Sequence, residues 1–208
     1  MTTKTNDAHL NIGIYGGAFD PPHRAHINLA EAALAQFKFD EVHVIPTGDA
    51  VHKRRHLSPA VHRIEMAKLA FHGVAKTVID EREVNRGGAS YTIDTLLELR
   101  ALYPKSKFTL IIGQDQLMVF HTWHRYEEIL KLATLAVVVR GSGGAASSAA
   151  EAASPIPHIV IPFVPRAVSS SDVRQMIRAK ELDSAFAAKM KPSVLAYIHE
   201  HSLYLGNP

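Results

Sequence analysis

The sequence has 208 residues and no cysteine. The absence of cysteine excludes a disulfide framework and any site built on a thiolate. No apolar run approaches the roughly 18 residues of a membrane-spanning helix. The first residues, MTTKTNDAHLN, also lack the apolar core of a signal peptide. We therefore expect a cytoplasmic protein without a membrane partner.

A strong charge of one sign is absent as well. The formal net charge is only +3 with neutral histidines, whereas a nucleic-acid-binding protein needs a clustered basic face, so we expect no nucleic-acid partner. The chain is long enough for one domain with a sizeable core. We predict a disordered tail over residues 1–9 and a single domain over residues 10–208. Residues 141–154, rich in Gly, Ser and Ala, are predicted to be a flexible, low-complexity insert.

Apolar segments of strand length alternate with helical patterns along the chain. The predicted strands are residues 10–15, 41–46, 77–79, 108–112, 135–139 and 158–161. Continuous apolar strands that alternate with helices indicate a parallel sheet covered on both faces. We predict an α/β, Rossmann-like, doubly wound sheet of about five or six strands. Its ligands should bind outside the carboxyl ends of the strands.

A glycine turn and two histidines follow the first predicted strand, in the segment GGAFDPPHRAH. Gly16 and Gly17 allow a tight turn and a close approach to a ligand. The free N–H groups and the dipole of the helix that follows favour phosphate. His23 and His26 are three residues apart, so both can face a phosphoryl oxygen. The same pair could be half of a zinc site, or two solvent-facing histidines.

A second candidate for phosphate binding is the segment VSSSDVR, residues 168–174. Serine hydroxyls and open N–H groups at a helix start can hold phosphate, and Arg174 can add a bidentate fork. The alternative is a plain capping box, with Ser169 bonded to Asp172 three residues later.

Together the two segments resemble the signatures GxFDPxHxGH and ISSTxIR of the nucleotidylyltransferase superfamily. Ala25 stands where the first signature has glycine, and Val168, Ser171 and Val173 are mild changes in the second. The resemblance implies an ATP-binding set composed of Gly16, Gly17, Phe19, His23, His26, Ser170, Ser171 and Arg174.

The middle of the chain resembles the nicotinate-nucleotide adenylyltransferase family. IPTGDAVHKRR is similar to its IPxxxPPHK loop, although Ala50 and Val51 replace the usual prolines. SYTIDTL, IIGQDQL and HTWHRYEEIL resemble further family segments. The resemblance implies that Lys53 neutralises phosphate charge and that nicotinate mononucleotide is bound by Thr92, Gly113, Asp115 and Trp123. Thr92 would receive the nicotinate carboxylate and Trp123 would stack on the ring, although a tryptophan there can also serve packing alone.

The reaction implied by the resemblance joins ATP and nicotinate mononucleotide into nicotinate adenine dinucleotide and pyrophosphate. The mononucleotide phosphate would attack the α-phosphorus of ATP in line, with His23, His26, Lys53 and Arg174 as the catalytic set. Mg²⁺ would accompany ATP, held by phosphate oxygens and water without protein ligands.

Four alternatives remain open at the level of sequence. One is a preference for nicotinamide mononucleotide over nicotinate mononucleotide, on which Thr92 is the only residue that bears. A pantetheine-phosphate adenylyltransferase shares both signatures, but is typically shorter and lacks the Trp123 segment. A non-catalytic, nucleotide-binding regulatory module is suggested by Ala25. A metal-binding module could use the histidines. No pattern in the sequence indicates an oligomeric state.

Overall fold

The computed structural model of the protein describes residues 5–48, 57–138, 155–162, 168–181 and 183–206. One six-stranded sheet forms the centre of these residues, with the order β3-β2-β1-β4-β5-β6 and parallel pairing throughout. The strands are β1 (Asn11–Gly17), β2 (Glu41–Pro46), β3 (Thr77–Ile79), β4 (Lys107–Gly113), β5 (Thr134–Val138) and β6 (Ile159–Ile161). The predicted Rossmann-like α/β fold is confirmed.

Helices cover both faces of the sheet. They are α1 (Arg24–Phe37), α2 (Ala60–Phe71), α3 (Arg82–Arg86), α4 (Thr92–Leu102), α5 (Gln114–Met118), a 3-10 helix (Phe120–Thr122), α6 (Tyr126–Leu132), α7 (Ser170–Ala179), α8 (Ser184–Ala187) and α9 (Pro192–Glu200).

Side chains of adjacent strand residues enter two different cores, because successive residues of a strand face opposite sides. Ile111 and Ala136 pack with α1, α2, α7 and α9. Leu110 and Leu135 pack with α4 and α6. A sheet buried on both faces explains why its strands are continuously apolar in sequence.

The direction of winding reverses between β1 and β4, which are neighbours in the sheet. β1 ends in Gly16 and Gly17, and β4 ends in Gly113. Such a switch point opens a crevice at the carboxyl edge of the sheet, where ligands of this fold class bind.

Several boundaries differ from the sequence prediction. Helix α1 begins at Arg24, two residues before His26, and His23 is its N-cap with an extended backbone. Helices α3, α5 and α8 were not predicted, because four or five residues are too few for a helical period to be recognised.

Some predicted features lie outside the described residues, namely Lys53, residues 1–4 and the insert at 141–154. Within the predicted tail, the Asn6 N–H donates to the carbonyl of Leu102 over 2.8 Å. The Ser106 hydroxyl donates to the carbonyl of Ala8 over 3.0 Å. None of the helices in the described parts of the chain is long and apolar enough to cross a membrane.

Candidate active site

A cavity of about 330 Å³ opens at the switch point of the sheet. Its lining includes Gly16 and Gly17 at the end of β1 and Gly113 at the end of β4. Thr92 and Trp123 also line it. Three of the four residues predicted to bind nicotinate mononucleotide therefore share one cavity with Gly16 and Gly17, which are the last residues of β1 and do not form the predicted turn.

The indole of Trp123 forms part of the cavity wall and rests on a buried ring. Its centroid lies 5.0 Å from that of Phe120, which is fully buried. Trp123 thus both packs and borders the cavity, so the two roles considered for it are compatible. Asp115, the fourth predicted residue, is exposed on α5 and is not among the residues that line the cavity.

A buried carboxyl group in the wall was missed by sequence reasoning. Glu83 lines the cavity with 8% of its surface exposed, and its Oε1 accepts a hydrogen bond of 2.9 Å from Thr95 Oγ1. Burial raises the pKa of Glu83, while hydrogen bonds from Thr95, Ser90 and the Gly48 N–H and the charge of Arg86 act in the opposite direction. In sequence, Glu83 is one charged residue among several in a segment without a clear period.

The histidine pair stands at the first turn of α1. The two rings stack with centroids 3.8 Å apart, and His23 is almost entirely buried. The backbone N–H of His23 donates to Nδ1 of His26 over 3.1 Å. Because Nδ1 is an acceptor there, a neutral His26 carries its proton on Nε2. His26 can therefore offer an N–H donor to a phosphoryl oxygen, and Phe19 packs edge-on against its ring at 5.2 Å.

The start of α7 contains the capping box that was considered as an alternative. Ser169 Oγ accepts from the Asp172 N–H over 3.1 Å, and Asp172 Oδ2 accepts from the Ser169 N–H over 2.9 Å. These hydrogen bonds lower the pKa of Asp172. Ser169 and Asp172 thus satisfy backbone and side-chain groups at the start of α7.

Ser170, Ser171 and Arg174 lie against the first motif. Ser170 Oγ donates to the carbonyl of Pro21 over 2.9 Å. Arg174 is buried, and its guanidinium donates to the carbonyl of Asp20 over 2.6 Å and to Ser171 Oγ over 3.0 Å. The fold therefore joins two signatures that are about 150 residues apart in sequence.

Asp20 connects the first motif to the end of the chain. Its side chain is 1% exposed, with Oδ1 accepting from the Tyr204 hydroxyl over 2.7 Å and Oδ2 from the Ser58 N–H over 3.3 Å. Burial and the nearby Asp20 charge raise the pKa of Tyr204, so the phenol remains a donor.

Arg63 of α2 donates hydrogen bonds to the loops that border the cavity. It is 3% exposed, and its Nε donates to the carbonyl of Ser58 over 2.9 Å. Its Nη1 donates to the carbonyls of Thr47 over 2.6 Å and Ala18 over 3.2 Å. The ends of β1 and β2 are thereby held together from the sheet face opposite α4. Nothing in the sequence distinguishes Arg63 from the other polar residues of α2, His62, Glu65 and Lys68.

The groups around the histidines suit phosphate. They are imidazole, hydroxyl, guanidinium and backbone N–H donors, which match phosphate oxygens. Among the residues that the structure describes, no three His, Asp or Glu side chains are close enough to hold a metal ion. The zinc interpretation of the histidine pair therefore has no further ligands in this part of the chain.

A family model described as cytidylyltransferase-like matches residues 14–176, a range that includes both signature segments and the residues that line the cavity. The chain belongs to the cytidylyltransferase-like family.

Within this family, a relative from Albidiferax ferrireducens named "Probable nicotinate-nucleotide adenylyltransferase" is 43% identical over 197 residues. The alignment covers 93% of this chain and 97% of the relative. A relative of the same name from Methylibium petroleiphilum is 40% identical over 196 residues. That alignment covers 93% of this chain and 92% of the relative. The predicted resemblance to nicotinate-nucleotide adenylyltransferases is confirmed.

Solved structures of the family share the fold. A nicotinic acid mononucleotide adenylyltransferase of Plasmodium falciparum complexed with NaAD superposes with a TM-score of 0.75, at 22% identity over 96% of this chain and 99% of that one. The same Plasmodium enzyme complexed with APC superposes with a TM-score of 0.73 at 24% identity. The superposition covers 96% of this chain and 99% of the Plasmodium chain.

Proposed function

We propose that this chain is a nicotinate-nucleotide adenylyltransferase of NAD biosynthesis. It joins ATP and nicotinate mononucleotide into nicotinate adenine dinucleotide and releases pyrophosphate. The observation that carries this proposal is the convergence of two phosphate-binding segments beside a cavity lined by Thr92 and Trp123. The names of the relatives favour nicotinate mononucleotide over phosphopantetheine as the acceptor.

The chemistry needs positioning and charge stabilisation more than an enzyme nucleophile. The phosphate of the mononucleotide is already ionised at neutral pH and can attack the α-phosphorus in line. His23 and His26 stack at the start of α1, and a neutral His26 carries its proton on Nε2. Both rings are proposed to stabilise the charge that develops on the phosphoryl group. Ser170, Ser171 and Arg174 bind the triphosphate.

Lys53 is proposed to balance the charge of the pyrophosphate leaving group, although it lies outside the described residues. Members of nucleotidyltransferase families generally use a divalent metal. We propose that this metal is Mg²⁺, which enters as MgATP on the phosphate oxygens, since the surrounding protein groups are hydrogen-bond donors.

The acceptor is proposed to enter the cavity ring first. The hydroxyl of Thr92 and the N–H groups at the start of α4 receive the nicotinate carboxylate, at the positive end of the helix dipole. Trp123 stacks on the ring, and Gly113 leaves room for a close approach of the ligand. Asp115, exposed on α5, is proposed to contact polar groups of the nucleotide from outside the cavity.

The test is pyrophosphate release from ATP and Mg²⁺ with three acceptors in parallel: nicotinate mononucleotide, nicotinamide mononucleotide and phosphopantetheine. We expect release that depends on nicotinate mononucleotide and is much weaker with the other two. Release with phosphopantetheine alone would contradict the assigned acceptor. If folded protein binds ATP but releases no pyrophosphate with any of the three acceptors, the result would instead support a regulatory module. We expect the reaction in the cytoplasm, without nucleic-acid or membrane partners.

A further inference from the structure

The acceptor cavity contains a buried carboxylate that the proposed mechanism does not use. Glu83 is held between Thr95 and Ser90, and both of these residues line the same cavity. Its carboxylate therefore belongs to the cavity wall. A carboxylate is unexpected there, because the proposed substrate is itself an anion with a phosphate and a carboxylate.

The hydrogen-bond pattern favours the ionised form of this carboxylate. Arg86 Nη2 donates to Thr95 Oγ1 over 2.8 Å, so the hydroxyl hydrogen of Thr95 is left to point at Glu83. The backbone hydrogen bond from Gly48 lowers the pKa of Glu83, as an N–H donor does. A group that receives hydrogens from several sides acts as an acceptor, which suits a carboxylate.

Within the described part of the chain, Arg82 and Arg86 form ion pairs with Asp80 and Glu98, and none with Glu83. Arg86 is the nearest cation, but its Nε donates to Glu98 over 2.7 Å and its Nη2 to Thr95. Among the described residues, Glu83 forms no ion pair. A buried charge in that position is stabilised by a cation that enters the cavity.

The nicotinate mononucleotide ring is such a cation, because its nitrogen is bonded to ribose and carries a positive charge. Thr92 and Thr95 are three residues apart on α4, so they lie on one side of the helix. Thr92 borders the place proposed for the ring carboxylate, and Thr95 positions Glu83 one turn further along. The indole of Trp123 belongs to the same wall and attracts a cationic ring as well.

We propose that Glu83 is a specificity-determining residue that recognises the positive charge of the pyridinium ring, an inference that rests on the proposed function. Glu83 selects ligands by ring charge, while Thr92 selects them by the carboxylate. The competing explanation is that Glu83 only ties the residues after β2 to the start of α4 through Gly48 and Ser90.

Trp123 is the only tryptophan of the chain and lines the cavity, so its fluorescence reports ring binding directly. The probes are nicotinate, whose ring is neutral at pH 8, and N-methylnicotinate, which has the same carboxylate and a charged ring nitrogen. We expect wild-type protein to bind N-methylnicotinate more tightly by at least about tenfold, because one charge contact at an effective dielectric constant of about 20 is large enough for such a difference. In Glu83→Gln this preference should disappear, with nicotinate binding unchanged to within about twofold.

Two control variants separate ring recognition from general effects. Glu98→Gln removes the same charge from the same network, but its side chain is 40% exposed and does not line the cavity. Glu81→Gln removes an equal charge two residues before Glu83, but its side chain is 36% exposed, pairs with Lys68 and does not line the cavity. Both should keep most of the preference for N-methylnicotinate.

The inference is overturned if wild-type protein shows no preference, a result that needs no variant to fold. It is also overturned if Glu83→Gln keeps the preference, or if either control variant loses it as completely. Failure of the proposed function would look different, because pyrophosphate release by wild-type protein would be absent whatever the fluorescence shows.

Discussion

At the scale of single residues, the candidate site depends on which atom of each side chain is left to face the ligand. His26 accepts a backbone hydrogen bond at Nδ1, so that a neutral ring carries its proton on Nε2. Arg174 and Ser170 hold the backbone of the first motif through the carbonyls of Asp20 and Pro21. The same residues that are proposed to bind phosphate therefore also shape the loop that carries the histidines.

Replacing His26 with alanine should leave the fold intact, because the ring is only partly buried at the end of a helix. The rate should fall by at least about two orders of magnitude, since one oriented donor to the developing charge is lost. Steady-state pyrophosphate release with MgATP and nicotinate mononucleotide measures this effect.

A histidine on another surface provides the control for this variant. The imidazole of His62 lies on α2, with its Nδ1 2.9 Å from the Tyr197 hydroxyl, and does not line the cavity. His62→Ala should turn over at the wild-type rate. Near-normal turnover of His26→Ala would remove this residue from the catalytic set.

At the scale of elements, the cavity depends on close packing between the residues after β2 and the short helix α3. A Cβ added to Gly48 would lie 2.5 Å from the carbonyl oxygen of Glu83 and 2.6 Å from Ser90 Oγ. Backbone atoms of α3 cannot move away as a flexible side chain could. Gly48 is therefore required for its lack of volume, at a point where its neighbours also form the cavity wall.

Gly48→Ala should lower the free energy of unfolding by about 1–3 kcal/mol, the usual cost of overpacking. It should also weaken binding of nicotinate mononucleotide, because Glu83 and Ser90 are displaced together. Chemical denaturation and the quenching of Trp123 fluorescence report the two effects separately.

Gly113→Ala is the matched control for stability. A Cβ at Gly113 would meet no atom within 4 Å, and its φ of −81° is open to any residue. The free energy of unfolding of this variant should lie within about 0.5 kcal/mol of the wild-type value. Equal destabilisation of both variants would show that close packing at Gly48 is not the cause.

At the scale of the whole molecule, contacts over long sequence separations hold the first motif in place. Tyr204, near the end of the chain, donates to Asp20 across 184 residues. Ser170 and Arg174 bond to the same motif from α7. The C-terminal segment therefore completes the support of the histidine loop.

Tyr204→Phe should destabilise the protein by about 1–3 kcal/mol, because a buried carboxylate loses one charge-assisted hydrogen bond. We expect turnover to fall with it, since Asp20 precedes the histidines by only a few residues. Thermal unfolding and pyrophosphate release measure the two changes.

Tyr197→Phe is the comparison, because its hydroxyl contacts only the ring of His62 at 2.9 Å among the hydrogen bonds of the described residues. Little change in stability or turnover is expected for this variant. Equal losses of stability and turnover in Tyr204→Phe and Tyr197→Phe would show that the hydrogen bond to Asp20 is not the cause.

The residues of the two signatures could be predicted from sequence because their chemistry is local. Histidines three residues apart and a serine that caps a helix act through near neighbours, as His26 does on the His23 N–H and Ser169 on the Asp172 N–H. The strands and the parallel α/β class followed from the apolar pattern in the same way, and most predicted strands agree with the structure to within two residues. The histidines and Arg174 remain proposed in their roles, although the fold brings their motifs together.

The tertiary structure alone decided which distant groups meet. The strand order places the ends of β1 and β4 side by side, and this creates the cavity. Glu83 and Thr95 meet there, Arg63 joins two strand ends, and Asp115 stays outside. No periodicity or spacing encodes these contacts, because each depends on how separate elements pack in three dimensions.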